Sequence, residues 1–524
     1  MDYIADTLKL IGSDYYSFEF DYEDQNVFDM IGRGENTAVF QADSNFAARV
    51  LTSVKPNSID ELADCVSLGR PDAIQFLSPY VKAKFGHEEQ VEIHKDLTKI
   101  LSRTHGCLIY QEQMMNIFKV FGGFTDGEAD KVRKIIGKKK LEDLPQQIEK
   151  FKQGAINRGY SKEVIGKLVK FIESNISYSF NMAHAVAYAI TTYKTAYLKY
   201  HYPVEFMTAV INNQKNDNGS TDFDSVKAYI KASGDMGIKV VGVDINNSDR
   251  MFTSNGKENS IYYGFELVKG LTDNGINIIM DNRPFETYKD FVDRVGLLVS
   301  KSDVIALIKS GSFNNVCSCT KEQMFKYFYK VRFNAKKEDK SPISKANKNH
   351  IKWLYDNGYI GDEHLEDREY CTKLINKVRL KEGWKDFKDK YMQGSELDWE
   401  METLNSYISA NPFEGVVIPS WSKVELNQVG YIGGVIVNVK ETTVKNGKSK
   451  GAKMAFINVS YENSIADIVV FNRQYLEYKD LLKTGKCIVC KVEKQGDDKG
   501  ILKSCTTLDD YLEQTAQLQK GGIR

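Results

Sequence analysis

Residues 131–140 read KVRKIIGKKK, and their cations are the first groups in the chain whose grouping suggests chemistry. Lys131, Arg133, Lys134 and Lys138 spread over about two helical turns, with Lys139 and Lys140 beside them. Guanidinium and ammonium heads clustered in this way suit phosphate oxygens. Basic residues near a helix C-terminus also compensate the helix dipole, so the run alone leaves both readings open. The elements that must carry these groups follow from the neighbouring residues. Met114, Ile117, Phe118 and Phe121 recur at helical spacing, and Gly122-Gly123 breaks that helix. Thr125 and Glu128 form a T-x-x-E capping pattern, which predicts a second helix from near Asp126 with Ile135 and Ile136 available to a core.

Three further constellations carry chemistry. SFNMAHAVAYAITTYKTAYLKYHYP (179–203) sets Asn181, His184 and five tyrosines on an Ala-rich helix, where His184 suits a core position or a functional one. In GFELVKGLTDNGINIIMDN, Val268-Lys269-Gly270-Leu271 between two short helical stretches has the shape of a helix-hairpin-helix. Such a turn presents backbone N–H groups to a DNA phosphate, but Thr272 stands where a second glycine is usual, and a plain helical turn also fits. Lys440, Lys445, Lys448, Lys450 and Lys453 cluster about a Lys-Asn-Gly turn. Tyr431, Phe456, Tyr461 and Phe471 lie nearby, and strand alternation assigns Phe456 and Phe471 to the core. The eight cysteines are scattered, and Cys487-Ile-Val-Cys490 has no second pair, so reduced thiols are expected rather than a metal site.

At 524 residues the chain is too long for one core, and three or more domains are expected. Hydrophobic content of 42% and charged content of 27% describe a soluble protein. No apolar run reaches membrane-spanning length, and the acidic start MDYIADTLKL is no signal peptide, so a cytoplasmic location is expected. Lys and Arg total 71, as do Asp and Glu, but they are not evenly spread. Residues 1–35 hold nine acids against Lys9 and Arg33, whereas residues 131–170 hold twelve bases against four acids. Such segregation fits a local phosphate-binding surface.

Residues 1–235 read as helices with short breaks. A small strand-and-turn piece opens the next region, 236–315, which returns to helices and contains the hairpin. Residues 316–424 form a Lys-rich helical connector interrupted by the loop-like NAKKEDKSPISKANKN. From 425 to 510 the period changes to Val- and Ile-rich alternation with one short helix, RQYLEYKDLLKTG, which suggests a five-stranded barrel of the OB type, and 511–524 is a tail. The expected fold is therefore multidomain: mainly α-helical, followed by a small C-terminal β-barrel.

These pieces stand in an order that resembles one family. TAVFQADS (37–44), LGRPD (68–72), THGCLIYQEQMM (104–115), GEADKVRKIIGKKK (127–140), SFNMAHAVAYA (179–189), AYLKYHYPVEFMTAVI (196–211), VVGVDINNSD (240–249) and LNSYISANPFE (404–414) are similar to successive motifs of the bacterial C-family replicative DNA polymerases, the alpha subunits of DNA polymerase III. The resemblance implies that 1–235 is a fingers domain, 236–315 a tandem helix-hairpin-helix and 425–510 a single-strand-binding OB domain. It implies nucleotide contacts from Arg70, Gln111, Arg133, Lys134, Lys138, Asn181 and His184. DNA contacts fall to Lys139, Lys140, Lys269, Gly270, Lys445, Lys448 and Lys450. It also implies Mg²⁺ held by palm aspartates. That palm and the polymerase-and-histidinol-phosphatase domain lie upstream in the family, so the chain resembles the C-terminal half of a split polymerase. It is expected to be inactive alone and to use a palm-bearing partner, primer-template DNA and deoxynucleoside triphosphates. A bacterial cell, with the gene carried by a phage, is the expected source, and a non-catalytic DNA-binding or regulatory derivative is the alternative.

The chain departs from the family pattern at several positions. Asp72 stands where Gly follows Arg-Pro, and Lys134 where a second arginine is usual, which loses one planar fork. The Lys and Ser of F-N-K-S-H are Met182 and Ala183, so one cation near the nucleotide is missing or comes from elsewhere. A sliding clamp is a family partner, but Gln323-Met-Phe-Lys-Tyr-Phe328 matches a clamp-binding peptide poorly and also suits a helix core.

Overall fold

A computed structural model describes residues 2–521 except 71–72, 87–92, 138–142, 176–179, 217, 406, 409–411, 414–415, 445–450, 462–463 and 497. The chain divides into two compact units, residues 1–238 with 254–259, and residues 239–253 with 260–524. The first unit is helical, and two of its hydrophobic cores carry the candidate residues. One gathers Phe28, Ile31, Val50, Leu62, Tyr80 and Tyr193 from helices Gln25–Arg33, Asn45–Val54, Ile59–Leu68, Leu77–Lys84 and Met182–His201. The last of these is the long strut, whose Ala185, Ala189 and Ala196 let helix Ile59–Leu68 pack closely against it. Short side chains at that face explain why an Ala-rich helix is buried rather than amphipathic in the usual sense.

The second core is built from the opening basic stretch. Met114, Ile117, Phe118 and Phe121 are all buried, as are Ile135 and Ile136. Thr125 and Glu128 exchange the expected cap bonds, at 2.9 Å from the Thr125 N–H and 3.4 Å from the Glu128 N–H, and the helix runs from Asp126 to Gly137. Helix Leu144–Asn157 crosses the break between the two helices so tightly that a Cβ on Gly154 would lie 1.8 Å from the Gly122 carbonyl oxygen. Gly122 is equally confined, since its own Cβ would meet the Phe151 ring at 2.7 Å. The two glycines thus set the approach of the basic helix's whole neighbourhood.

In the second unit, strands β1 (Lys239–Val241), β2 (Thr253–Asn255, which runs across the unit boundary) and β3 (Ser260–Tyr262) precede the hairpin region, with β1 and β3 parallel. The hairpin region holds helices Asp273–Asn282, Tyr288–Arg294 and Lys301–Lys309. In the connector, Met324, Phe325 and Phe328 of helix Lys321–Asn334 are buried, so the clamp-like segment serves as helix core in this chain. Five strands then close a barrel: β4 (Val429–Thr443), β5 (Lys453–Tyr461), β6 (Ser464–Val470), β7 (Cys487–Gly496) and β8 (Lys499–Thr507), in the order β4-β5-β6-β8-β7. Helix Asn472–Tyr478 sits between the third and fourth of these strands, and β6 pairs parallel with β8, which is the OB arrangement.

Two expectations need correction. Phe456 and Phe471 are not in the barrel core; they are 45% and 47% exposed, while Tyr461 is buried. On β5 the inward places belong to Ala455, Ile457 and Val459, and period-two alternation turns Phe456 outward. Cys317 and Cys319 are joined as a disulfide rather than reduced. The remaining six cysteines are free, and among the described residues no group of three or more His, Cys, Asp or Glu is placed to hold a metal.

Replacing Gly154 with Ala tests the tight crossing. Alanine would raise helix propensity by roughly 1 kcal/mol, but overlap with a backbone oxygen normally costs 1–3 kcal/mol or about that. The overlap should win. Urea unfolding is expected to show Gly154→Ala less stable than wild type, and equal or greater stability would mean that the crossing has room.

Candidate functional site

The N-terminus of helix Met182–His201 is where distant segments of the first unit converge. Asn181 caps it, its Oδ1 accepting the His184 N–H at 2.8 Å. Just before the cap, the Phe180 N–H donates to the Ile109 carbonyl and the Gln111 N–H donates to the Phe180 carbonyl, both at 2.9 Å. This short parallel bridge ties the start of helix Gln111–Val120 to the start of the strut. The Arg70 guanidinium lies 4.4 Å from the centre of the Phe180 ring. Exposed His184 lies against Tyr188, their ring centres 4.2 Å apart and their planes tilted by 42°, and Tyr188 meets Phe40 at 5.6 Å. Arg70 and Gln111, far from Phe180 in sequence, are therefore brought beside it and its chain neighbours Asn181 and His184.

Beneath this cluster lies a buried carboxylate that sequence reasoning missed. Asp64 accepts from the Tyr80 hydroxyl at 2.7 Å and from the Tyr110 hydroxyl at 2.6 Å. Burial pushes its pKa up to about 7, and the two phenolic donors offset only part of that cost. Tyr110 directly precedes Gln111, so the network braces the bridge from below. Lys199 is a second missed group. Its buried ammonium donates to the carbonyls of Glu35 and Thr37 at 2.9 and 2.8 Å, and burial lowers its pKa to about 8. It anchors the loop in which Ala38 and Gln41 adopt left-handed φ of 64° and 58°. A cavity of about 350 Å³ opens beside that loop, lined in part by Tyr3, Phe40, Gln41, Asp43, Gln214 and Tyr229, and burial raises the Asp43 pKa. Neither Asp64 nor Lys199 carries a local motif; only pairing across the fold reveals them.

Arg133 and Lys134 stand apart from the Phe180 group, on the helix of the other core. Both are tied to one carboxylate: Arg133 Nη2 lies 2.7 Å from Asp130 Oδ1 and Lys134 Nζ 2.8 Å from Oδ2. Lys134 first and Arg133 second hold the Asp130 carboxyl below its usual pKa. The arrangement sets two cations on one turn around a single, partly exposed carboxylate. Lys138, Lys139 and Lys140 lie outside the described residues.

In the second unit, Gly270 has φ of 97° and makes the tight turn, with Lys269 exposed beside it. Much of the turn's donor capacity is used internally. The Lys269 N–H donates to the Thr403 carbonyl, that of Leu271 to Val268, and that of Thr272 to the buried Asp303 carboxylate at 2.8 Å. Thr272 itself caps helix Asp273–Asn282. On the barrel, Lys445, Lys448 and Lys450 lie outside the described residues. The outer face of β4-β5-β6 is described, and there Lys440, Phe456 and Val469 form one row and Asn438, Asn458 and Asp467 the next. The second row is hydrogen-bonded across the strands, at 3.2 and 2.6 Å. An exposed aromatic ring beside a lysine on this face of an OB barrel suits base stacking.

Comparison with known proteins agrees with this architecture. Residues 1–159 match the family described as bacterial DNA polymerase III alpha subunit finger domain, and residues 237–324 match the helix-hairpin-helix motif. The chain is related to the alpha subunits of bacterial DNA polymerase III. The DNA polymerase III subunit alpha of Borreliella burgdorferi is 30% identical over 496 residues, covering 92% of this chain and 40% of the relative. That of Aquifex aeolicus is 32% identical over 488 residues, 92% of this chain and 38% of the relative. The Thermus aquaticus subunit is 28% identical over 546 residues, with 98% and 41% covered. The chain thus spans about two fifths of the length of the curated alpha subunits it matches. No helix among the described residues is long and apolar enough to cross a membrane.

Two measurements probe the site's supports. Folding raises the pKa of Asp64, so its stabilising contribution is complete below the unfolded value of 3.8 and is lost as pH rises through about 7. Across that window wild type should lose up to about 1.4 kcal/mol per pH unit from this group. In Asp64→Asn the pH dependence should flatten between pH 4 and 7 (denaturant midpoints report it), and an unchanged slope would remove Asp64 from the account. On the barrel, Phe456→Ala should weaken oligo-dT binding by the full chain by roughly 1–3 kcal/mol, the usual value of one stacked base. Unchanged affinity in a fluorescence-anisotropy titration would mean that Phe456 does not stack.

Proposed function

We propose that this chain supplies the fingers, helix-hairpin-helix and OB modules of a template-directed DNA polymerase used in replication. A separate palm-bearing chain, from a bacterium or phage, carries the catalytic carboxylates. The observation that carries this reading is the convergence of Arg70 and Gln111, which lie in the segment that matches the finger family, on Phe180, Asn181 and His184, which follow that segment in the chain. The hairpin and the barrel supply DNA-facing surfaces in the same chain.

In this reading the incoming deoxynucleoside triphosphate brings roughly three to four negative charges that must be offset before transfer. Arg133 and Lys134 meet them by exchanging Asp130 for phosphate oxygens, with Lys138 as a further nucleotide contact and Lys139 and Lys140 gripping DNA. Arg70 presents a guanidinium above Phe180, while Asn181 and His184 set the nucleotide's polar edge at the cap. Lys269 and Gly270 hold the duplex backbone, and Lys445, Lys448 and Lys450 with Phe456 guide the single-stranded template. The described side chains form no carboxylate cluster that fits Mg²⁺. The ions therefore belong to the palm-bearing partner in this proposal, and no step is assigned to them here.

Primer extension tests the proposal. The purified chain alone should extend nothing, and addition of the palm-bearing chain, Mg²⁺ and four deoxynucleotides should restore templated synthesis. In that complex Arg133→Ala should lower kcat/KM for nucleotide at least tenfold, about 1.4 kcal/mol, with little change in DNA affinity. Extension by the isolated chain would overturn the split arrangement. DNA binding without extension in any combination would favour the non-catalytic alternative.

A further inference from the structure

We infer that Arg103 is a phosphate-contacting residue of the nucleotide site and supplies beside Met182 the cation that residue 182 itself does not carry. The inference rests on the proposed nucleotide site around Asn181. Arg103 lies in a short turn after helix Lys95–Leu101, and nothing in its local sequence singles it out. Its Nη1 nevertheless lies 3.1 Å from the Met182 sulfur, and its Nη2 donates to Asp60 Oδ1 at 2.6 Å.

A plain surface ion pair is the competing account, and the details argue against it. A guanidinium has five N–H donors, and a thioether is a weak acceptor for any of them. The Arg103 Nε is buried without a hydrogen-bond partner among the described residues. The head is thus held in place by the protein yet under-satisfied, while 34% of the side chain remains open to solvent. Asp60 holds it through one oxygen only and is itself 57% exposed, so it can yield to a competing oxyanion. An arginine paired to advantage would use its fork in a two-bond contact with the carboxylate.

Position strengthens the argument. Phe180 carries Arg70 and Met182 carries Arg103, so both chain neighbours of the cap residue Asn181 hold a guanidinium group against them. The first amide of the helix is already taken, because the Met182 N–H donates to the Glu112 carboxylate at 3.1 and 3.3 Å. An anion arriving here would meet the arginines rather than that amide. Two planar forks held by the chain neighbours of an exposed Asn suit a polyphosphate, which offers several oxygens to such donors.

The test is a charge transplant read by calorimetric titration of the full chain with dTTP and with inorganic tripolyphosphate. Arg103→Ala should weaken both by about tenfold or more, as expected for loss of a charge-assisted contact, while oligo-dT affinity stays the same. Met182→Lys alone should not tighten binding, because its ammonium would sit against the Arg103 guanidinium. In the Arg103→Ala background the same Met182→Lys should restore most of the lost affinity, a rescue that a merely structural role would not produce. Arg103→Gln, which keeps part of the stem and an N–H donor without the charge, serves if the alanine variant does not fold. If wild type binds neither probe, the nucleotide site itself is wrong. If wild type binds and neither Arg103 variant differs from it, or if Met182→Lys fails to rescue, the Arg103 assignment is overturned and the site stands.

Discussion

The candidate nucleotide site depends on a single junction, where the Phe180 backbone is bonded on one side to Ile109 and on the other to Gln111. Two hydrogen bonds join segments that have no reason of their own to meet. Once they do, the cap Asn181, the ring under Arg70 and the first turn carrying His184 take their positions together. The junction in turn rests on Tyr110, whose hydroxyl is held by the buried Asp64. A buried carboxylate is costly unless its partners are well placed, which makes this support sensitive to geometry in a way that apolar packing is not. A small shift of the Tyr110 ring would leave Asp64 under-satisfied and move Gln111 at once.

The same economy of partners recurs on the basic helix. Arg133 and Lys134 are neither free nor permanently neutralised, since one half-exposed Asp130 serves both. A single carboxylate between two cations lowers their mutual repulsion and keeps them near one another without burying them. Asp60 does the corresponding service for Arg103. Resident acids of this kind let a chain hold clustered cations at its surface while its total charge remains balanced, with 71 basic and 71 acidic residues.

How much of this was legible in the sequence differs by element. The helix at Asp126 was readable because its cap is local: Thr125 and Glu128 are three residues apart and satisfy each other. The barrel is readable from alternation, yet alternation alone places the large apolar rings of Phe456 and Phe471 inward, whereas Ala455 and Ile457 fill the inward places on β5. The family motifs made Arg70, Gln111, Asn181 and His184 candidates, but their meeting around Phe180 is a tertiary fact. Asp64 and Arg103 were not legible at all. Asp64 meets Tyr110 across 46 positions and Arg103 meets Met182 across 79, and no periodicity or spacing encodes such pairs.

The closure of the barrel has a consequence for how the chain can be made and cut. Strand β4 bonds to β5 within a hairpin but also to β7, whose first residue, Cys487, pairs with Val435. The free edge of β6 is likewise covered only by β8, through Asp467 to Lys499 and the pairs that follow. Until the last two strands exist, a chain emerging from synthesis exposes both edges of a Val- and Ile-rich sheet. Such edges template pairing with other chains, and non-local closure is slow. A nick or truncation ahead of Cys487 would therefore do more than remove two strands; it would convert a closed module into an aggregation-prone one.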